Sequence, residues 1–507
     1  MRAALIGFAL LAGTVQAQVP EPGQTLRNVF TIRAERDPFY WLGEFNKAST
    51  VMVVEKGIVT PALGASIARA VGQVIADGDK PGARRPADYL QYEPLLVAVA
   101  GPDVTRMHSG RSRQDILATT RRVMQRDRLL ALMGAMDEMR AVLVGLAERN
   151  QDVIVPAYTN GVQAQPTSYA HYLLGFAAAY ARDAERMRQA YARLNLSPMG
   201  SAALGTSSFP VDRPRLAALL GFDGVDENSY GADQLAAIDV GAELVGIASA
   251  AALTTGAFVQ DVHTQYHQSR PWILLQEGDL TGTSSIMPQK RNPYGLNVLR
   301  LQASETVGAA TTFLFDAHNV TPGMPDYKRE ASQRALEAAT RMFTDMTALL
   351  RGLVIDPARA LAEVEGDYST TTELADTLQR VADVPFRVGH HFASRLVDFG
   401  RAQGLKPAEI PFAAAQRIFA ESAGAFPGSA TALPLSEAQF RTSLSAKGMV
   451  AASQGLGGPQ PAEVARLLRS EREKLAADEA WLVERQNALA AARKGLDQAF
   501  AGVAAGH

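Results

Sequence analysis

The segment of the chain with the clearest chemical potential is TGTSSIMPQKRNP, residues 281–293. A loop rich in glycine, serine and threonine presents backbone N–H groups and hydroxyls to an anion, and Lys290 and Asn292 add a cation and an amide. Two familiar motifs do not fit. Ile286 stands where a nucleophile elbow around Ser284 needs glycine, and the sequence has no Gly-Lys-Ser/Thr of a phosphate-binding P-loop. Because a serine without a neighbouring base is ordinarily inert, a flexible surface loop is the alternative interpretation.

The elements that must position this loop are predicted to be helices. Apolar residues recur at helical spacing in three segments, and residues 236–259 are apolar on nearly all sides, which is typical of a helix inside a close-packed bundle. The three stripes are Tyr169, Tyr172, Leu173, Phe176 and Tyr180; Leu336, Ala339, Phe343, Met346, Leu350 and Leu353; and Leu129, Leu132, Met133, Met136, Met139 and Leu143. Residues 461–499 are predicted to form a terminal helix or a helical hairpin. Since alternating strand patterns are scarce, we expect a mainly α-helical protein.

The composition excludes several classes of function. At about 150 residues per domain, the 507 residues suggest two to four domains. The 50 basic and 52 acidic side chains give a formal charge of -2, so no overall field favours nucleic acid or an anionic membrane. The lack of cysteine rules out disulfides, thiolate catalysis and cysteine-ligated metals. His263 and His267 could hold a metal at helical spacing, but no third ligand stands out, and ordinary packing or a surface position is the preferred interpretation.

The N-terminus has the pattern of a secretory signal peptide. Arg2 precedes an apolar run of about ten residues, and the VQA at 15–17 provides a small-residue cleavage site. The apolar run is too short to span a bilayer, and no later run reaches the ~18 uninterrupted apolar residues of a membrane helix. We therefore expect residues 1–17 to be cleaved and the mature protein to be periplasmic or secreted.

Three boxes in the chain resemble those of one known family. Residues 281–293 are similar to the GSSxMPxKxN signature of the aspartase/fumarase superfamily, and the QKRNP ending most resembles argininosuccinate lyase. MHSGRSRQD, residues 107–115, resembles the SGRSRND box of that family, and YTNGVQAQP, residues 158–166, resembles its YTHLQRAQP box. The similarity continues through LGFDGVDENS at 220–229, YSTTTELAD at 368–376 and GGPQPAEV at 457–464.

The resemblance implies a lyase that removes a β-substituent from a succinyl group and releases fumarate. A proton beside a carboxylate is weakly acidic, so the developing aci-carboxylate needs preorganised donors and cations. By resemblance, Ser284 takes this proton, while Lys290 and Asn292 hold the substrate carboxylate. The other positions carried over contact the substrate. They are Ser112, Arg113 as a bidentate carboxylate clamp, Gln114, Thr159 as a second carboxylate contact, and Tyr327 near the amine portion.

The resemblance also implies an architecture. It is a three-domain all-α fold with a long central helical bundle, assembled as a homotetramer whose active sites each take boxes from three subunits, with a dicarboxylate substrate and no cofactor or metal. After the signal peptide we expect an N-terminal domain over residues 18–115, the central bundle over 116–365 and a C-terminal helical domain over 366–507.

Four positions depart from the family pattern. The family's Asn, Gly, His and Glu are replaced by Gln114, Thr283, Asn160 and Asn297. The loss of His and Glu removes an ionisable pair that serves proton transfer near neutral pH, and leaves two amides. Since arginine biosynthesis is cytoplasmic, an exported relative points to a carbon–nitrogen lyase acting on another N-substituted aspartate. The alternatives are a carbon–oxygen lyase or lactonising cycloisomerase on the same scaffold, and an exported dicarboxylate-binding homologue with impaired catalysis.

Overall fold

The structure is a computed structural model that describes residues 36–429 and 431–506. The predicted signal peptide, residues 1–17, lies outside the described residues. The elements of the N-terminal part are α1 (Pro38–Glu55), α2 (Pro61–Gly78) and α3 (Tyr89–Ala100). The central elements are α4 (Arg113–Arg149), β1 (Ile154–Thr159), β2 (Val162–Ser168), α5 (Tyr169–Leu194), β3 (Leu196–Ser197), α6 (Arg213–Leu219), β4 (Gly224–Val225), α7 (Ala236–Thr264), β5 (Ile273–Leu275), β6 (Gly282–Thr283), β7 (Arg291–Asn292), α8 (Tyr294–Ala317), α9 (Ala331–Arg351) and β8 (Leu353–Ile355). The C-terminal elements are α10 (Pro357–Glu365), α11 (Thr371–Ala382), α12 (Phe386–Ala402), α13 (Phe412–Ala423), α14 (Glu437–Ser443), α15 (Ala446–Ala452) and α16 (Pro461–Ala504).

The five long helices α4, α5, α7, α8 and α9 form the central bundle, which confirms the predicted all-α fold. Its core contains the residues of the three predicted stripes, except that Tyr172 and Phe176 are partly buried and pack against it. Tyr180 is fully buried, meets Phe343 edge to face at a centroid distance of 5.6 Å, and pairs its hydroxyl with Thr255 at 3.0 Å. The small residues of α7 allow close packing, because a Cβ atom at Gly241 would lie 2.3 Å from the ring of Phe313.

The strands form four two-stranded ladders at the ends of helices: β1–β2, β5–β8 and β6–β7 are antiparallel, and β3–β4 is parallel. One helical stretch among the described residues, Gly231–His267, has the length and composition of a candidate membrane span. In its most apolar window 56% of the residues are buried inside the protein, and α7 within it packs on α5, α8 and α9.

The last helix, α16, is a single helix of 44 residues, not a hairpin. Val464 and Leu468 near its start pack in the core of the bundle, whereas Leu496 and Val503 near its end pack in the core of α1 and α2. The helix therefore joins the bundle to the N-terminal part. A separate apolar cluster, built from α11 to α14, forms the core of the C-terminal part.

The bundle has two ends, and the helix directions decide which boxes share an end. Side chains of α4 and α9 pair in parallel order: Gln125 with Ser332 at 3.0 Å and Glu138 with Arg351 at 3.1 Å. The first end therefore holds the N-termini of α4 and α9. The second end holds the β1–β2 hairpin, the β5–β8 ladder and the β6–β7 loop. With 37 residues, α4 separates the two ends by about 55 Å.

Candidate active site

The first box forms the N-terminus of α4 at the first end. Ser112 caps the helix by accepting the N–H of Gln114 at 3.2 Å, and Asp115 accepts the N–H of Ser112 at 2.8 Å. The second carboxylate oxygen of Asp115 accepts the N–H groups of Gly200 at 3.0 Å and Ala202 at 3.3 Å. Burial raises the pKa of Asp115 despite these bonds. The box is thus fixed by its own cap and by a neighbouring turn.

Arg113 is exposed and already holds one carboxylate. Its Nε donates to Asp88 Oδ2 at 2.8 Å, and its Nη2 donates to the same oxygen. Asp88 in turn caps α3 by accepting the N–H of Leu90 at 2.8 Å. The Nε side of the Arg113 guanidinium is therefore occupied by Asp88. The side formed by Nη1 and Nη2 is the one available for the predicted contact with a substrate carboxylate. Sequence reasoning missed Asp88, because only an N-cap pattern marks it.

Tyr327 also lies at the first end, but it is buried, with 1% of its surface exposed. Its hydroxyl accepts the N–H of Gly323 at 2.6 Å and donates to the carbonyl of Gln234 at 3.0 Å. Within the chain this hydroxyl therefore joins two turns, and its predicted contact with substrate stays a prediction.

A buried acid that sequence reasoning missed lies in the same region. Asp233 accepts a 2.6 Å hydrogen bond from Ser201, and burial raises its pKa to about 7. The adjoining turn carries Ala202 and Ala203 at φ 50° and 81°, a conformation that costs an L-residue free energy. A carboxyl with a raised pKa beside strained backbone is typical of functional sites, so this turn is a candidate for mutational tests.

The second box is a β-hairpin at the second end. Its strands pair from Ile154 with Ser168 to Thr159 with Val162, and the turn is Asn160–Gly161 at φ 52° and 76°. Left-handed conformations at both positions are typical of a two-residue hairpin turn, and Asn followed by Gly suits them. Thr159 and Asn160 are exposed at the tip. Asparagine thus has a local backbone reason to occupy the position of the family's histidine.

The signature segment is an exposed loop closed by a short ladder. Gly282 pairs with Asn292 and Thr283 with Arg291, so that residues 284–290 project from the second end. The Ser284 hydroxyl accepts the N–H of Met287 at 3.0 Å and of Ile286 at 3.4 Å. Donors aimed at an oxygen stabilise its anionic form, which is the arrangement that a serine base requires.

Two further predicted positions frame this loop. Lys290 is exposed on it, and Asn292 is partly buried where the ladder closes. Asn297 follows one turn into α8, where its amide oxygen lies 3.5 Å from Arg300.

One chain does not bring all of these residues together. Ser284, Lys290, Thr159 and Asn160 lie at the second end, whereas the first box lies about 55 Å of helix away at the first end, where Tyr327 precedes α9. The site assignments therefore stay predictions. They require that residues from the two ends come together from different chains.

His263 is half-buried and His267 is exposed on the surface. His263 and His267 stack at a ring distance of 6.3 Å, and the described residues contain no group of three or more side chains suited to a metal. His171 hydrogen-bonds Thr167 at 2.8 Å and the carbonyl of Gly457 at 2.8 Å, which ties the GGPQPAEV segment to α5.

Comparisons with known proteins identify the family. The Lyase family matches residues 53–308, and the argininosuccinate lyase C-terminal family matches residues 368–451. An argininosuccinate lyase of Methanoculleus marisnigri is 34% identical over 79% of each chain, and argininosuccinate lyase 2 of Agrobacterium fabrum is 34% identical over 86% of each. A crystal structure of EDDS lyase in complex with formate superposes with a TM-score of 0.83 at 29% identity over 92% of each chain.

A more distant structure shares the fold alone. The 3-carboxy-cis,cis-muconate lactonizing enzyme of Pseudomonas putida has a TM-score of 0.65 at 18% identity, covering 89% of this chain and 97% of that one. The chain belongs to the aspartase/fumarase superfamily of lyases, within its argininosuccinate lyase-like branch.

Proposed function

We propose that the protein is a carbon–nitrogen lyase that releases fumarate and an amine from an N-substituted aspartate. The observation that carries the proposal is that the Ser284 hydroxyl accepts hydrogen bonds from two backbone N–H groups, on an exposed loop that also bears Lys290. Relatives named argininosuccinate lyase and the EDDS lyase neighbour support the same reaction class.

In the proposed reaction, the Ser284 alkoxide takes the proton from the carbon next to a carboxylate. The electron pair left behind forms the double bond as the carbon–nitrogen bond breaks, and the amine departs with a proton from solvent. Lys290 offsets the growing negative charge, and the Nη1–Nη2 edge of Arg113 and the Thr159 hydroxyl hold the carboxylates. Asn160 and Asn297 are amides that do not titrate, so the leaving amine receives no proton from them.

We also propose that four chains assemble, so that the first end of one bundle meets the second end of another. The support is an apolar surface on α7 and α8, where Leu253 is 66% exposed, Leu301 59% and Phe315 75%. Light scattering should give the mass of four mature chains. A mixture of Arg113→Ala and Ser284→Ala proteins, unfolded and refolded together, should recover activity that neither variant has alone. Monomeric scattering or no recovery would refute shared sites.

We propose separately that the protein is exported and its signal peptide cleaved, which the sequence pattern of residues 1–17 supports. Protein purified from a periplasmic extract should begin after Ala17. A sequence that still begins at Met1 would exclude cleavage.

The test of the function is addition in the reverse direction. Purified protein is incubated with fumarate and a panel of amines, while the absorbance of fumarate is followed. Ser284→Ala should lower the rate at least a thousandfold, whereas the neighbouring Ser285→Ala should stay within about threefold of the parent. If no amine is consumed but calorimetry shows that fumarate binds, the protein is a dicarboxylate-binding homologue and the proposal is wrong.

A further inference from the structure

One carboxylate on α10 contacts the hairpin directly and is joined through Arg359 to the segment that leads to the signature loop. Glu363 accepts a hydrogen bond from the hydroxyl of Tyr158, the residue before Thr159 in the hairpin. Its other oxygen accepts from Arg359 Nη2 at 3.0 Å. The Nε of Arg359 donates to the carbonyl of Arg270 at 2.7 Å, in the segment that leads through β5 to the signature loop.

The hairpin is fastened to the same helix through its second strand as well. Gln163 donates to the carbonyl of Val364 at 3.2 Å and to the hydroxyl of Ser369 at 2.9 Å. Both strands therefore rest on α10 and the turn after it. Since the tip itself is exposed, these contacts fix the direction in which Thr159 projects.

The segment before the signature loop is also fixed to α10. Asp356 caps α10 by accepting the N–H of Arg359 at 3.0 Å, and its own N–H donates to the carbonyl of Trp272 at 2.8 Å. The β5–β8 ladder then continues the connection, with Ile273 opposite Ile355. The segment before the signature loop, residues 270–275, is thus joined to α10 in two ways: through the side chain of Arg359 and through backbone hydrogen bonds.

The hydrogen bonds among Tyr158, Glu363 and Arg359 are of a kind that holds side chains firmly in place. The side chain of Glu363 is 15% exposed and that of Arg359 is 26% exposed, so water competes little for these bonds. Hydrogen bonds to a charged acceptor are stronger than neutral ones. Burial and the neighbouring Glu363 raise the pKa of Tyr158 well above its ordinary value, so its hydroxyl remains a donor at neutral pH.

We propose that Glu363 is a positioning residue that holds the hairpin tip and the base of the signature loop in one fixed relation. Its catalytic meaning rests on the proposed function. Glu363 does not need to touch substrate, because a displacement of about 1 Å at either segment is enough to slow a reaction that depends on alignment.

The experiment measures the mobility of the signature loop by its rate of proteolysis, which does not depend on catalysis. Trypsin cuts after Lys290 or Arg291 in the exposed loop, and mass spectrometry gives the rate of that cut in the full protein. Glu363→Ala removes the acceptor of the Tyr158 hydroxyl and the carboxylate that orients Arg359, so that only the backbone hydrogen bonds and the Arg359–Arg270 bond remain. Tyr158→Phe removes only the hairpin connection and keeps the side chain's shape. Glu365→Ala, on an exposed position of the same helix, is the matched control.

We expect Glu363→Ala to speed cleavage of the loop at least fivefold and Tyr158→Phe at least twofold, with Glu365→Ala unchanged. In turnover, Glu363→Ala should lower kcat at least tenfold while KM for fumarate changes less than threefold. Unchanged cleavage in both Glu363→Ala and Tyr158→Phe would overturn the linkage. If the parent consumes no amine yet cleavage still accelerates, the proposed function fails and the linkage stands.

Discussion

The attachment of α16 to the bundle depends on a buried ion cluster whose removal has a predictable cost. Arg140 is 1% exposed and donates to Asp478 of α16 at 2.6 Å and to Asp137 at 3.1 Å. Asp478 also pairs with Arg188 of α5. Asp478→Ala removes one of the two carboxylates that Arg140 contacts and leaves Asp137 alone beside it, a carboxyl whose burial disfavours its charged form. Leaving a buried charge without its partner costs about 3 kcal/mol.

Hydrogen exchange followed by mass spectrometry measures this loss where it occurs. A loss of about 3 kcal/mol makes exchange of the α16 amides around Asp478 faster by about a hundredfold. The exposed neighbour on the same helix, Glu479→Ala, should change exchange less than threefold. The peptides of α11 to α14 should not change in either variant, because their core is separate. Exchange in α16 that rises less than tenfold in Asp478→Ala would show that the cluster does not hold this helix.

Three further predictions concern the candidate site. The folded protein keeps a proton on Asp233 up to about pH 7, whereas the unfolded chain releases it near pH 4, so this carboxyl costs stability as the pH rises between those values. In Asp233→Asn the melting temperature should therefore fall less than in the parent from pH 5 to 7.5, and parallel profiles by scanning calorimetry would contradict this. Asp88→Asn weakens the hold on an Arg113 that is half exposed, so fumarate binding measured by calorimetry should weaken about three- to tenfold, and unchanged affinity would remove Asp88 from the site. Asn160→Ala, at φ 52°, should destabilise the protein by about 1 kcal/mol in thermal unfolding, whereas Asn160→Gly should not; equal melting temperatures would refute the turn argument.

The bundle could be predicted because its signal is periodic and local. The stripe from Tyr169 to Tyr180 lies on α5, and Met133, Met136 and Met139 are fully buried in α4, as their spacing indicates. The hairpin was not predicted, although Asn160–Gly161 between two strand-like runs is its ordinary signal. The residues VQAQ do alternate apolar and polar side chains, but the run is short and ends in a proline, which weakens a strand prediction.

The candidate site was predictable only as separate boxes. Resemblance supplied Ser284, Arg113 and Thr159, and the ladder that closes the signature loop explains why Asn292 lies where it does. Asp88 and Glu363 could not be found in this way, because their roles come from contacts between elements far apart in sequence. Such contacts depend on the directions of helices, which a pattern of apolar residues does not contain.

The distance between the two ends of the bundle has a consequence for the proposed enzyme. A side chain spans only a few ångströms, so no local movement within one chain can carry Ser284 across the length of α4 to Arg113. The same helix that separates them belongs to a bundle whose α7–α8 surface remains apolar and exposed at Phe315, Leu253 and Leu301. If chains pack antiparallel through this surface, the separation within each chain becomes proximity between chains, with the first end of one beside the second end of the next. In the proposed assembly, association and catalysis therefore depend on the same helices, and a charge introduced at Leu253 should abolish both together while leaving the helical content of the single chain intact.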